Sequence, residues 1–176
     1  MDGIARRGHL GHDVPMRFRH ELAYDASPDE VHAMLADPAF REATCAAQQV
    51  VSVDVDITAD GEGMSVRIDQ IQPTQGVPSF AKSIIGETTH AIQIEEWRDN
   101  RRAVLDIETP GKPGTMHGTI TIEPRGSGAA DVVELDIKVG IPLIGGRLEN
   151  LMGDLVRKAM DHEHRVGIAW LAGERP

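Results

Sequence analysis

Between Val50 and Ile141 the chain alternates apolar and polar residues in six successive stretches, and it then closes with one long helix that is apolar on a single face. In "VVSVDVDI", Val51, Val53, Val55 and Ile57 stand against Ser52, Asp54 and Asp56. The stretches "MSVRIDQIQ", "THAIQIEEW", "RAVLDIE", "MHGTITIE" and "DVVELDIKVGI" repeat the pattern between polar turns such as "DNR" and "GKPG". A period of two marks strands with one wet and one apolar face, and such strands assemble into an antiparallel sheet covered on one side only. An earlier stretch, "MRFRHELAY", sets Phe18, Leu22 and Tyr24 against Arg17, Arg19 and Glu21 and brings the strands to seven. A twisted sheet of that width curls, and a curled sheet needs something in its hollow.

The terminal helix supplies it. Leu148, Leu151, Met152, Leu155, Ala159, Val166 and Trp170 recur at three- and four-residue spacing, while Arg147, Asp154, Arg157, Lys158, Asp161 and Arg165 lie elsewhere on its surface. From Leu143 to Ala172 such a helix runs about 45 Å at ~1.5 Å per residue. Laid along the concave face it buries Leu148, Leu151, Met152 and Leu155, so Leu155→Ala is expected to cost about 2–5 kcal/mol.

Between the first strand and the other six, "SPDEVHAMLADP" reads as a helix with Ser27 at the N-cap, Pro28 at the first helical position and Glu30 three residues after the cap. Val31, Met34 and Leu35 form its inward stripe, Pro38 ends it, and "AFREATCAAQQ" makes a second short helix. The expected class is therefore α+β: a curved seven-stranded antiparallel sheet wrapped around a long C-terminal helix, with two short helices between strands 1 and 2. Because aromatic residues are only 3% of the chain while hydrophobic residues are 40%, the interior of this fold must be largely aliphatic.

The strand-to-helix entry "YDASPDEVHAMLADPAFREA" (Tyr24 to Ala43), the exit "GIPLIGGRLENLM" (Gly140 to Met152) and the order of elements resemble the START-like superfamily, also called SRPBCC, helix-grip or polyketide cyclase-like. The likeness spans Met16 to about Gly173 and is nearest to an uncharacterised actinobacterial branch. It implies a cavity between sheet and C-terminal helix that holds an apolar or amphipathic ligand. One START-like domain over residues 16–173 is expected. Residues 1–15, without periodicity, read as a disordered leader, an upstream start or residues added for expression, and His9 and His12 there lack further ligands for a metal.

A formal net charge of -10 disfavours nucleic acid or an anionic membrane surface as partner. No stretch is long and apolar enough to cross a bilayer, so an integral membrane protein is not expected. The single cysteine, Cys45, rules out an internal disulfide, and a cytoplasmic location follows by default. No cofactor and no metal are expected; the partner is an apolar small molecule or lipid, with a homodimer as a further possibility.

Candidate site residues come from strand phase and helix stripe. His20 and His90 fall on the face their neighbours mark as inward, as do Gln70 and Gln72; buried without partners they would each cost about 1–3 kcal/mol. They either meet a polar ligand head or sit at a wet rim. Glu96 shares the phase of Ile92 and Ile94 and is the one acid on that face. The segment "PTQGVPSFAKSIIGE" breaks the rhythm and carries Val77, Phe80, Ile84 and Ile85, as a flap over an opening or a short packing helix. The ligand-cavity candidates are His20, Gln70, Phe80, Ile84, His90, Ile92, Leu105, Ile120, Leu135, Leu148, Met152 and Leu155.

Other motifs carry less. His162 and His164 are two apart, about 200° around a helix, and do not form a metalloprotease pair. Gly145-Gly146 signals close backbone approach or a bend rather than a phosphate loop. Cys45 reads as a buried structural cysteine. The leading functional reading is binding or carriage of a hydrophobic small molecule, without assigned catalytic residues. The alternatives are a cyclase or dehydratase-type enzyme using His20, His90 or Glu96, and a protein-interaction module with a packed core.

Overall fold

A computed structural model describes residues 14–175. The expectations for the leader, including His9 and His12, fall on residues 1–13 and so lie almost entirely outside the described residues. In chain order the elements are β1 (Met16–Tyr24), α1 (Pro28–Leu35), α2 (Pro38–Ala47), β2 (Ser52–Asp60), β3 (Gly63–Pro73), α3 (Ser79–Ile85), β4 (Thr88–Trp97), β5 (Arg102–Glu108), β6 (Gly114–Arg125), β7 (Gly128–Val139) and α4 (Gly145–Leu171). The strands form one antiparallel sheet ordered β1-β7-β6-β5-β4-β3-β2. The six later strands meander, and the α1–α2 pair carries the chain from one edge of the sheet to the other.

Local chemistry explains the two short helices. The Ser27 hydroxyl accepts from the Glu30 backbone N–H at 3.3 Å while the Glu30 carboxylate accepts from Ser27 N–H at 2.8 Å, a complete capping box. Asp37 caps α2 by accepting from Ala39 N–H at 2.9 Å. Both helices then bury aliphatic or aromatic stripes, Val31, Met34 and Leu35 on α1 and Phe40 and Cys45 on α2. Phe40 meets Trp170 of α4 edge-on, ring centroids 5.5 Å apart.

The period-two phase holds in β1, β2, β3, β5, β6 and β7. It is inverted in β4: Gln70 pairs with Ala91, Ile68 with Gln93, Val66 with Glu95 and Met64 with Trp97, so Ala91, Gln93, Glu95 and Trp97 share the inner face of β3. His90, Ile92, Ile94 and Glu96 consequently lie on the outer face. The two isoleucines look like core residues, but the register places two polar side chains inward instead.

Helix α4 is 27 residues long, about 40 Å at ~1.5 Å per residue. It leans to one side of the sheet, against β1, β7 and α2. Two glycines permit this approach: a Cβ on Gly153 would come within 2.6 Å of Met16, and one on Gly167 within 2.8 Å of the Tyr24 ring. Close contact with β1 leaves a space between α4 and the β3–β5 half of the concave face.

Candidate functional site

That gap is a cavity of about 240 Å³ between the sheet and α4. Its aliphatic wall includes Leu105, Ile107, Met116, Ile120 and Val133 from the sheet, and its roof includes Leu148, Leu151, Met152, Leu155, Val156 and Ala159 from α4. At one end α3 closes over it: Val77 and Ala81 bury themselves against Val139 and Leu148, while Ile84 and Ile85 line the opening. The segment read as a flap is thus a short helix that packs at the cavity end. Gly145, just before the roof, brings its Cα so near Val139 that a Cβ would sit 2.5 Å from the carbonyl oxygen.

At the other end the lining is charged. Arg41, Glu95, Asp131 and Glu163 all contribute to it. The Arg41 guanidinium donates to Glu95 Oε2 at 2.7 Å and to the Leu35 carbonyl at 2.7 Å, and a second amine lies 4.0 Å from Glu163 Oε2. Glu95 also accepts from Trp97 Nε1 at 2.7 Å and from Gln93 Nε2 at 2.6 Å. Burial holds the Asp131 carboxyl well above the usual carboxylate range, and the nearby Glu163 and Glu95 push the same way while Arg41 opposes. Burial likewise raises Glu163, against the pull of Arg41. One cation therefore faces three acids.

Two acceptor atoms of this lining have no hydrogen-bond partner, Asp131 Oδ1 and Gln70 Oε1. Nearby, the Tyr24 hydroxyl is also unpartnered, and burial holds it protonated far above its ordinary range. Polar atoms shut away from water without partners are uncommon, and the Asp131 and Gln70 oxygens border the hollow.

Of the expected cavity residues, Gln70, Ile84, Leu105, Ile120, Leu148, Met152 and Leu155 line the hollow. Five stand elsewhere. His20 is inward in phase but reaches α4, with Nε2 2.9 Å from Asp161 Oδ1 and Nδ1 3.0 Å from the Arg157 guanidinium. His90 and Ile92 lie on the outer face, where His90 Nε2 is 2.7 Å from Asp69 Oδ1. Phe80 packs at the α3 end beneath the Arg147 guanidinium, 4.1 Å from its ring centroid. Leu135 is buried in the main core. Glu96, on the outer face, accepts from the Ser65 hydroxyl at 2.9 Å. The three acid/base candidates of the enzymatic reading are therefore all outside the cavity.

Leu155 is inward in phase yet 42% exposed. The expectation of a fully buried side chain is corrected: it borders the cavity mouth and is exposed. His162 Nδ1 accepts from Arg165 at 2.8 Å, and His164 Nε2 is 2.7 Å from the Ala23 carbonyl. Cys45 is buried, which pushes its thiol up to about 11 and leaves it unreactive.

The four charged residues at this end of the cavity escape periodicity arguments, although a signal exists. Asp131 is in phase with Val133 and Leu135, and Glu163 follows Met160 by three residues and precedes Gly167 by four, on the buried stripe of α4.

The family described as "Protein of unknown function (DUF2505)" matches residues 19–171. An uncharacterized protein of Mycobacterium tuberculosis is 22% identical over 171 residues, covering 90% of this chain and 98% of its own. Among solved structures, TTHA0849 from Thermus thermophilus superposes with a TM-score of 0.62 at 21% identity, over 92% of this chain and 100% of that one. The di-domain ARO/CYC StfQ from the steffimycin biosynthetic pathway gives 0.60 at 11% identity, over 92% of this chain and 52% of its own. Ara h 8.0201 gives 0.58 at 12% identity, over 90% and 98%. These likenesses show the helix-grip, START-like fold. No helix among the described residues is long and apolar enough to cross a membrane.

Proposed function

The chain belongs to the DUF2505 family, and from that premise, with its helix-grip scaffold, we propose that it binds a small, largely apolar molecule in the cavity beneath α4. The observation that carries this reading is the unfilled aliphatic wall. A packed core would leave no hollow of about 240 Å³ bordered by Leu105, Ile120 and Val133. An apolar cavity of about 150 Å³ binds benzene in another protein. Scaled by volume, this one suits a molecule of about ten non-hydrogen atoms.

Three features support binding over a structural role. The wall is aliphatic, the roof includes a flexible methionine, Met152, and α3 forms a short, separately packed cover at one end. A carrier or sensor needs such a cover to admit and release its cargo. The cyclase-type reading loses the three side chains on which it rested, since His20, His90 and Glu96 lie outside the hollow.

The test is native mass spectrometry and organic extraction of the purified protein, with naphthalene as a titrant matched to the cavity volume. Saturable uptake of naphthalene, lost when Leu105→Trp or Ile120→Trp fills the space in a folded protein, is the expected outcome. No co-purified mass and no saturable uptake would overturn the proposal.

A further inference from the structure

The charged end of the cavity restricts what the occupant's polar group can be. Arg41, the one cation there, is already committed: it is 2% exposed, bonded to Glu95 and to the Leu35 carbonyl, with Glu163 close to its remaining amine. An incoming carboxylate or phosphate would have to compete with two carboxylates for that guanidinium while approaching the third, Asp131. In a poorly solvated interior like charges repel strongly.

The unsatisfied atoms point the same way. Asp131 is 2% exposed and Gln70 7% exposed; both line the hollow, and on each the unpartnered atom is an oxygen that accepts. Gln70 belongs to β3, away from the acidic group, so the two observations are independent. Acceptors left open call for a donor.

We propose that the preferred occupant carries a hydrogen-bond-donating head, a hydroxyl or a protonated amine, on its apolar body, and that anionic heads such as those of fatty acids are excluded from the Arg41–Asp131 end, Lys112 being the cation at the opposite, α3 end. This rests on the ligand-binding reading above. It does not require Asp131 and Glu163 to be ionised. When protonated they still accept from a hydroxyl through their carbonyl oxygens, and an ammonium favours their ionised forms. An anion is repelled by the ionised acids, and even where Asp131 and Glu163 are protonated it must still compete with Glu95 for Arg41.

The experiment is a titration at pH 7.5, by isothermal calorimetry, of naphthalene and three derivatives that keep the same ring: 1-naphthol, 1-naphthylmethylammonium and 1-naphthoate. The expected result is that the alcohol or the ammonium, or both, bind at least tenfold tighter than the carboxylate, and their relative order says which donor the site prefers. Asp131→Asn and, separately, Glu163→Gln should each shrink the separation between ammonium and carboxylate at least threefold, each affinity being taken relative to that variant's own affinity for naphthalene. Two variants guard against one of them failing to fold. Equal or tighter binding of 1-naphthoate, or an unchanged separation in both folded variants, overturns the proposal and leaves the ligand-binding reading standing if naphthalene still binds. Failure of the whole series, naphthalene included, removes both.

Discussion

Replacing Arg41 by methionine keeps most of the side-chain stem and removes the one charge that holds the interior acids together. Arg41 and Glu95 are 2% and 0% exposed as side chains, and their bond is 2.7 Å. Breaking a buried ion pair by removing one partner costs about 3–5 kcal/mol, because the survivor is left as an uncompensated charge. The Leu35 carbonyl, which accepts from Arg41 at 2.7 Å, loses its side-chain donor as well, worth about 1–3 kcal/mol. The two losses belong to one network and do not simply add. Glu95 moreover keeps its bonds from Trp97 and Gln93. The expected cost is therefore about 4–6 kcal/mol at pH 7.5, a large part of the about 5–15 kcal/mol that holds a typical domain together. Urea unfolding followed by tryptophan fluorescence, with Trp97 beside the mutated pair, reads the loss directly. The cost should shrink as pH falls toward the unfolded carboxylate value of about 4, where Asp131 and Glu163, both raised by burial, are protonated. Glu95→Gln added to Arg41→Met should restore at least half of the stability, since removing both partners of a buried pair is far milder than removing one. A single-variant cost below about 1 kcal/mol, or a double variant no better than the single, would refute the view that this cluster is a mutually dependent interior network.

Other expectations follow from the same geometry. Asp131 and Glu163 hold their protons to higher pH when folded than when unfolded, so each subtracts stability that returns as pH falls toward the unfolded carboxylate value of about 4. Asp131→Asn should accordingly raise stability at pH 8 and lose that advantage by about pH 4, which denaturation at a series of pH values will show. Gly167→Ala forces a methyl within 2.8 Å of the Tyr24 ring; despite alanine's better helix propensity it should destabilise by about 1–3 kcal/mol on thermal or urea unfolding. Leu155→Ala, facing a hollow at 42% exposure, should cost about 1 kcal/mol, well under the about 2–5 kcal/mol expected of the 1%-exposed Leu22→Ala measured alongside it.

Much of the architecture is legible in the residue pattern. Alternation locates every strand and the capping box at Ser27 locates α1, while on α4 Leu148 is buried as its spacing indicates but Leu155 is exposed, the buried line running on through Gly153, Met160 and Gly167. The pattern misleads where the interior is polar. In β4, Ile92 and Ile94 weigh more heavily than Gln93 and Glu95, because a hydrophobicity pattern assumes an apolar inside; the register with β3 decides otherwise. The same assumption hides Asp131 and Glu163, which sit on apolar stripes as apparent exceptions, and Arg41, which follows the fully buried Phe40. Whether α4 rests on atoms or on a void is not legible at all. It depends on Gly153 and Gly167 letting the helix approach β1, a contact between residues distant in sequence.

The pairing of β1 with β7 also has a consequence for how the chain is made. Phe18 finds its partner only in Leu135, on the last strand of the chain. During synthesis the first strand, with Leu22 and Tyr24 on its apolar face, emerges long before β7 exists, and the helix that will cover it comes later still. Contacts so distant along the chain make for slow folding, and a strand left waiting with one edge and one apolar face exposed is a point of vulnerability to aggregation. Slow elongation between β1 and α4 should therefore lower the yield of native protein more than slow elongation after α4 has emerged.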